Sequence, residues 1–69
     1  MAFEKVVLDT VEEILGTDNL ACFVYGSLSV ICDERQARKI FHRLSKDYGV
    51  GKVQISQDGS YGYIFDFVA

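Results

Sequence analysis

No stretch of this 69-residue chain approaches the roughly 20 consecutive apolar residues that a membrane-spanning helix needs. The opening residues, Met1-Ala2-Phe3-Glu4-Lys5, lack the basic, apolar and small-residue succession of a secretory leader, so a cytoplasmic location is expected. Cysteine is scarce. Cys22 and Cys32 stand ten positions apart with no CxxC pair and no third or fourth ligand for zinc, and both read as small buried apolar residues. Histidine is scarcer still: His42 is alone, and no nucleophile accompanies it in a catalytic spacing. The glycine-bearing segments Tyr48-Gly49-Val50-Gly51-Lys52 and Asp58-Gly59-Ser60-Tyr61-Gly62 match neither a P-loop nor a dinucleotide fingerprint. Each leads into a strand, whereas those motifs open a helix. Asp18-Asn19 and Asp58 lack the remaining ligands of a calcium loop. The sequence thus offers no catalytic residue, no metal ligand set and no cofactor site, and a non-enzymatic protein is expected.

About half of the chain is apolar (49%) and nine residues are aromatic, a composition too apolar for a disordered segment. One domain spanning residues 1–69 is expected. At this size a domain buries only about 60% of the surface its unfolded chain exposes, which makes association with a copy or another protein an expectation in its own right.

Residues 1–33 and 34–69 resemble each other at an offset of 33. Gly16 falls on Gly49, Gly26 on Gly59, Ser27 on Ser60, Ile31 on Ile64 and Asp33 on Asp66, where about two identities arise by chance. Apolar positions agree as well: Val7 falls on Ile40, Val11 on Leu44, Cys22 on Ile55 and Val30 on Tyr63. Each half reads as a helix followed by a hairpin, either duplicated or converged on one core pattern. In the first helix Phe3, Val6, Val7, Val11, Ile14 and Leu15 recur at three- and four-residue steps, and Gly16 takes the place of a left-handed cap. In the second, Ala37, Ile40, Phe41, Leu44 and Tyr48 form one stripe between a capping box, Asp33 with Gln36, and Gly49.

Alternation predicts strands over 20–24 and 28–32, then over 52–56 and 61–68. For both hairpins a three-residue loop is expected, because it gathers the apolar set on one face: Leu20, Cys22, Leu28, Val30 and Cys32 in the first, and Val53, Ile55, Tyr61, Tyr63, Phe65 and Phe67 in the second. The expected fold is α+β: an α-β-β-α-β-β two-layer sandwich, with a four-stranded antiparallel sheet carrying both helices on one face.

Three surfaces call for explanation. The first is the division of charge: the first helix carries Glu4, Asp9, Glu12 and Glu13 against Lys5, whereas the second carries Arg35, Arg38, Lys39, Arg43 and Lys46 against Glu34 and Asp47. Those five cations are the candidate anion-binding residues, although the chain is acidic overall and nucleic acid is the weaker of the partner readings. The second is a strip on the first helix, Phe3, Val6 and Ile14, beyond the core stripe. The third is the outer sheet face, expected to carry Phe23, Tyr25, Ile31, Ile64 and Val68. The leading expectation is a protein that works by protein–protein contact, as a homodimer using the outer sheet face or the first helix; the alternative is a nucleic-acid or phosphate-ligand module on the basic helix.

Overall fold

The computed structural model describes residues 2–68. Their order is α1 (Ala2–Leu15), β1 (Ala21–Val24), β2 (Ser27–Ile31), α2 (Glu34–Tyr48), β3 (Val53–Asp58) and β4 (Gly62–Phe67). The strands form one antiparallel sheet ordered β1-β2-β4-β3, and both helices cover the same face, so the α+β sandwich is the fold.

Local chemistry sets the start of α2 and the end of both helices. Asp33 caps α2: its Oδ1 accepts the Gln36 N–H at 2.8 Å, and the Gln36 Oε1 accepts the Asp33 N–H at 3.3 Å, which satisfies two otherwise orphaned donors. Gly16 and Gly49 follow the helices with φ of 77° and 113°, and each donates its N–H to the carbonyl four residues back, at 2.9 and 2.8 Å. Val7 and Val11 of α1 and Ala37, Ile40 and Leu44 of α2 then meet Leu28, Val30, Val53 and Phe65 of the sheet in one buried apolar cluster, with Cys32 at its margin. No buried polar or charged residue interrupts this core among the described residues.

The second hairpin takes the expected three-residue loop. Asp58 pairs with Gly62 across Gly59-Ser60-Tyr61, Gly59 is left-handed at φ 78°, and Val53 and Ile55 share the helix side with Phe65 and Phe67. Tyr61 falls in the loop itself and is exposed, so it leaves the apolar face assigned to it.

The first hairpin departs from expectation. Val24 pairs with Ser27 across only Tyr25-Gly26, both with positive φ (52° and 83°), as a type I′ turn requires. That two-residue turn shifts the register by one. Ala21 and Phe23 therefore face the helices and Cys22 faces out. The reason lies in a tertiary contact: Phe23 joins an aromatic cluster with Phe3, Tyr48 and Phe67, whose ring centroids lie 5.2–6.4 Å apart.

The register also bears on the resemblance between halves. The second strand of each half lies at the sheet centre, and Val30 pairs with Tyr63, its counterpart at the offset of 33. The first strands break the correspondence, since Cys22 points outward and Ile55 toward the helices.

Candidate interaction surfaces

Helix α2 carries five cations and His42 on one exposed face: Arg35, Arg38, Lys39, His42, Arg43 and Lys46, with Glu34 among them. At 100° per residue Arg35, Lys39, His42 and Lys46 form the crest opposite the buried stripe. Two ion pairs flank that crest: Arg38 lies 3.6 Å from Glu34, and Arg43 donates from Nε to Asp47 at 3.3 Å. Both are exposed i, i+4 pairs and contribute little to stability. Arg35, Lys39 and Lys46 have no carboxylate within 4.0 Å among the described residues. The structure thus brings all five candidate anion-binding residues to one surface and leaves three of them without an ion-pair partner among the described residues.

The outer sheet face consists of three rows running across the strands. Leu20, Ile31, Gly62 and Asp58 form the first; Cys22, Ser29, Ile64 and Ser56 the second; Val24, Ser27, Asp66 and Gln54 the third. Of the residues assigned there from sequence, Ile31 and Ile64 are in place, with Ile31 56% exposed. Phe23 lies on the opposite face, for the register reason given above, and Tyr25 stands at the tip of the turn, wholly in solvent. Val68 follows β4 and borders a recess with Phe3, Tyr48, Lys52 and Phe67. Val24, 47% exposed, is an outward apolar residue that the sequence reading missed, because its parity became visible only with the two-residue turn. Polar groups interleave these apolar ones: Ser27 donates its hydroxyl to Asp66 directly across the β2–β4 ladder.

The extra strip on α1 divides in two. Phe3 enters the aromatic cluster and Ile14 packs on the core, so internal packing accounts for both. Val6 remains 54% exposed beside Asp9 and Glu13.

His42 is exposed at the α2 crest with its ring 6.4 Å from that of Phe41. Among the described residues no group of three or more His, Cys, Asp and Glu is placed to hold a metal ion, and no helix is long and apolar enough to cross a membrane. Both cysteines are free thiols. Cys22 is exposed, whereas burial, then the neighbouring Asp33 carboxylate, push the Cys32 thiol above its ordinary pKa. No known protein family matches the sequence, and neither a curated protein nor a solved structure matches it.

Proposed function

We propose that this protein is a non-enzymatic interaction module of the cytoplasm that works by protein–protein contact, pairing with a second copy of itself through its uncovered sheet. The observation that carries this reading is that the core closes entirely between the helices and one sheet face, while Ile31, Val24 and the whole edge of β3 beyond Val53 remain open to water. Apolar surface of this kind marks interaction sites on small domains, which gain burial by associating. An exposed thiol at Cys22 suits a reducing compartment. Dilution series of amide NMR spectra test the reading. Resonances of the uncovered sheet, those of β3 among them, are expected to move with concentration while those of α1 hold still; spectra unchanged on dilution would remove it.

A second reading rests on the unpaired crest of α2. Arg35, Lys39 and Lys46 span 11 helical steps, about 16 Å at 1.5 Å per residue, and so offer a row of cations to a polyanion. Binding of single-stranded nucleic acid or polyphosphate is then expected at low ionic strength, falling steeply with salt and with Lys39→Ala and Lys46→Ala. Absence of binding at about 20 mM salt would exclude it.

A further inference from the structure

Helix α2 and the outer sheet face leave one feature unaccounted for, the free edge of β3. The Val68 N–H donates to the Lys52 carbonyl at 2.8 Å, which makes Lys52 and Val68 a hydrogen-bonded pair of the β3–β4 ladder. Hydrogen-bonded and non-hydrogen-bonded pairs alternate along an antiparallel ladder, so Gln54, Ser56 and Asp58 also turn their main-chain groups toward β4. Val53, Ile55 and Gln57 turn theirs outward, to the open edge. Natural sheets protect such an edge with lysine, proline or a bulge. Val-Gln-Ile-Ser-Gln-Asp contains no lysine, arginine or proline, and its ladder with β4 runs unbroken from Val53 to Asp58. The other edge, β1, has four residues and turns only Ala21 and Phe23 outward.

We infer that β3 is a self-pairing edge: two copies join antiparallel about a two-fold axis at Ile55, giving a continuous eight-stranded sheet. The inference rests on the self-association reading and assigns its register. With Ile55 opposite Ile55 of the second copy, Val53 faces Gln57 and Gln57 faces Val53, so every outward N–H and C=O of the three residues meets a partner. On the helix side the two Ile55 side chains cover each other; each is 38% exposed in the single chain although its parity points inward. Toward the outer face the same register sets Gln54 opposite Ser56. Lys52, one residue before the strand, lands opposite Asp58 of the second copy, and the symmetry makes this pair twice.

Charge complementarity selects the occupant and the register together. Neither Lys52 nor Asp58 has an ion-pair partner within 4.0 Å among the described residues. Sliding the partner by two residues in either direction keeps the hydrogen-bonding parity but sets Lys52 opposite Ser56 or Ser60 and separates the two isoleucines. The two-fold pairing also closes the assembly at two copies, whereas β3 joined to β1 of a neighbour would propagate. An edge of three outward residues is small against the roughly 1,200 Å² of a stable interface, so the dimer belongs to the weak, reversible class.

The test is a charge-reversal cycle read by sedimentation equilibrium of the full chain, up to about 1 mM. Lys52→Glu and Asp58→Lys are each expected to weaken dimerisation roughly five- to tenfold, because symmetry doubles each lost cross-strand pair, and the double variant to restore it. Gln57→Pro deletes one outward N–H and leaves the intramolecular ladder whole, so it is expected to give a folded monomer by circular dichroism. In the wild type the Ile55 and Gln57 amides should gain exchange protection as concentration rises. A dimer that persists unchanged in all three single variants overturns the β3 assignment while leaving self-association standing; a wild-type monomer at every concentration overturns both.

Discussion

Tyr25 takes a left-handed backbone at φ 52° with its ring wholly in solvent, so it has the strain of that conformation and no packing to offset it. Asparagine tolerates this conformation and is the favoured residue before glycine in a type I′ turn. Tyr25→Asn is expected to raise stability by about 0.5–1 kcal/mol, measured by urea denaturation. Gly62 has the opposite requirement. Its backbone sits against the Asp58 carbonyl, where an added Cβ has no room, so Gly62→Ala is expected to cost about 1–3 kcal/mol and to open the second hairpin. The thiols separate just as cleanly. Cys22 should react with a small disulfide reagent within the mixing time and Cys32 only as the protein unfolds, giving one fast thiol per chain. Because the folded state holds the Cys32 thiol protonated above its ordinary pKa, the unfolded chain releases that proton first as pH rises. Stability therefore falls with pH from the unfolded thiol's range upward, and Cys32→Ala is expected to flatten that alkaline loss.

At the scale of elements, what the sequence discloses depends on how many local rules act on a segment. For α2, apolar period, capping box and terminal glycine agree, and the helix is legible to within a residue. Asp33→Ala removes its cap and is expected to cost about 1 kcal/mol in thermal or denaturant unfolding. The register of the second hairpin is legible too, since Val53, Ile55, Phe65 and Phe67 share one parity and only an odd loop unites them, although β3 runs two residues further than the alternation predicts and Tyr61 falls in the loop. In the first hairpin, residues 20–24 read Leu-Ala-Cys-Phe-Val and are apolar on both parities, so alternation cannot choose the face. The choice falls to Phe3, Tyr48 and Phe67, distant in sequence, which draw Phe23 inward. The same cause moved Phe23 out of the candidate interface and left Val24 and Cys22 in it. The basic face of α2 was legible because helical period alone builds it; the β3 edge was not, because an edge is defined by strand order.

Over the whole molecule, charge and apolar surface are distributed on different axes. Residues 1–33 hold six acids and one lysine, residues 34–69 six cations and four acids, and the two helices carry most of that contrast on one layer. The opposite layer is a sheet whose outer rows mix Ile31, Ile64 and Val24 with serines and two aspartates, open on its face and along β3. The layer carrying the charged helices bears the cation crest; the sheet bears the surface proposed for self-pairing. Phe65 lies buried where the two layers meet, opposite both Leu28 and Ile55, and Phe65→Ala is expected to cost about 3–5 kcal/mol, enough to unfold a domain of this size. The central claim, that this protein works by pairing with its own copy through the sheet, meets its most direct test in the mass of the wild-type chain by sedimentation equilibrium from about 10 μM to about 1 mM. The account predicts a mass that climbs reversibly from the 7.8 kDa of one chain toward twice that value and stops there. A mass that stays at one chain across the whole range would contradict it.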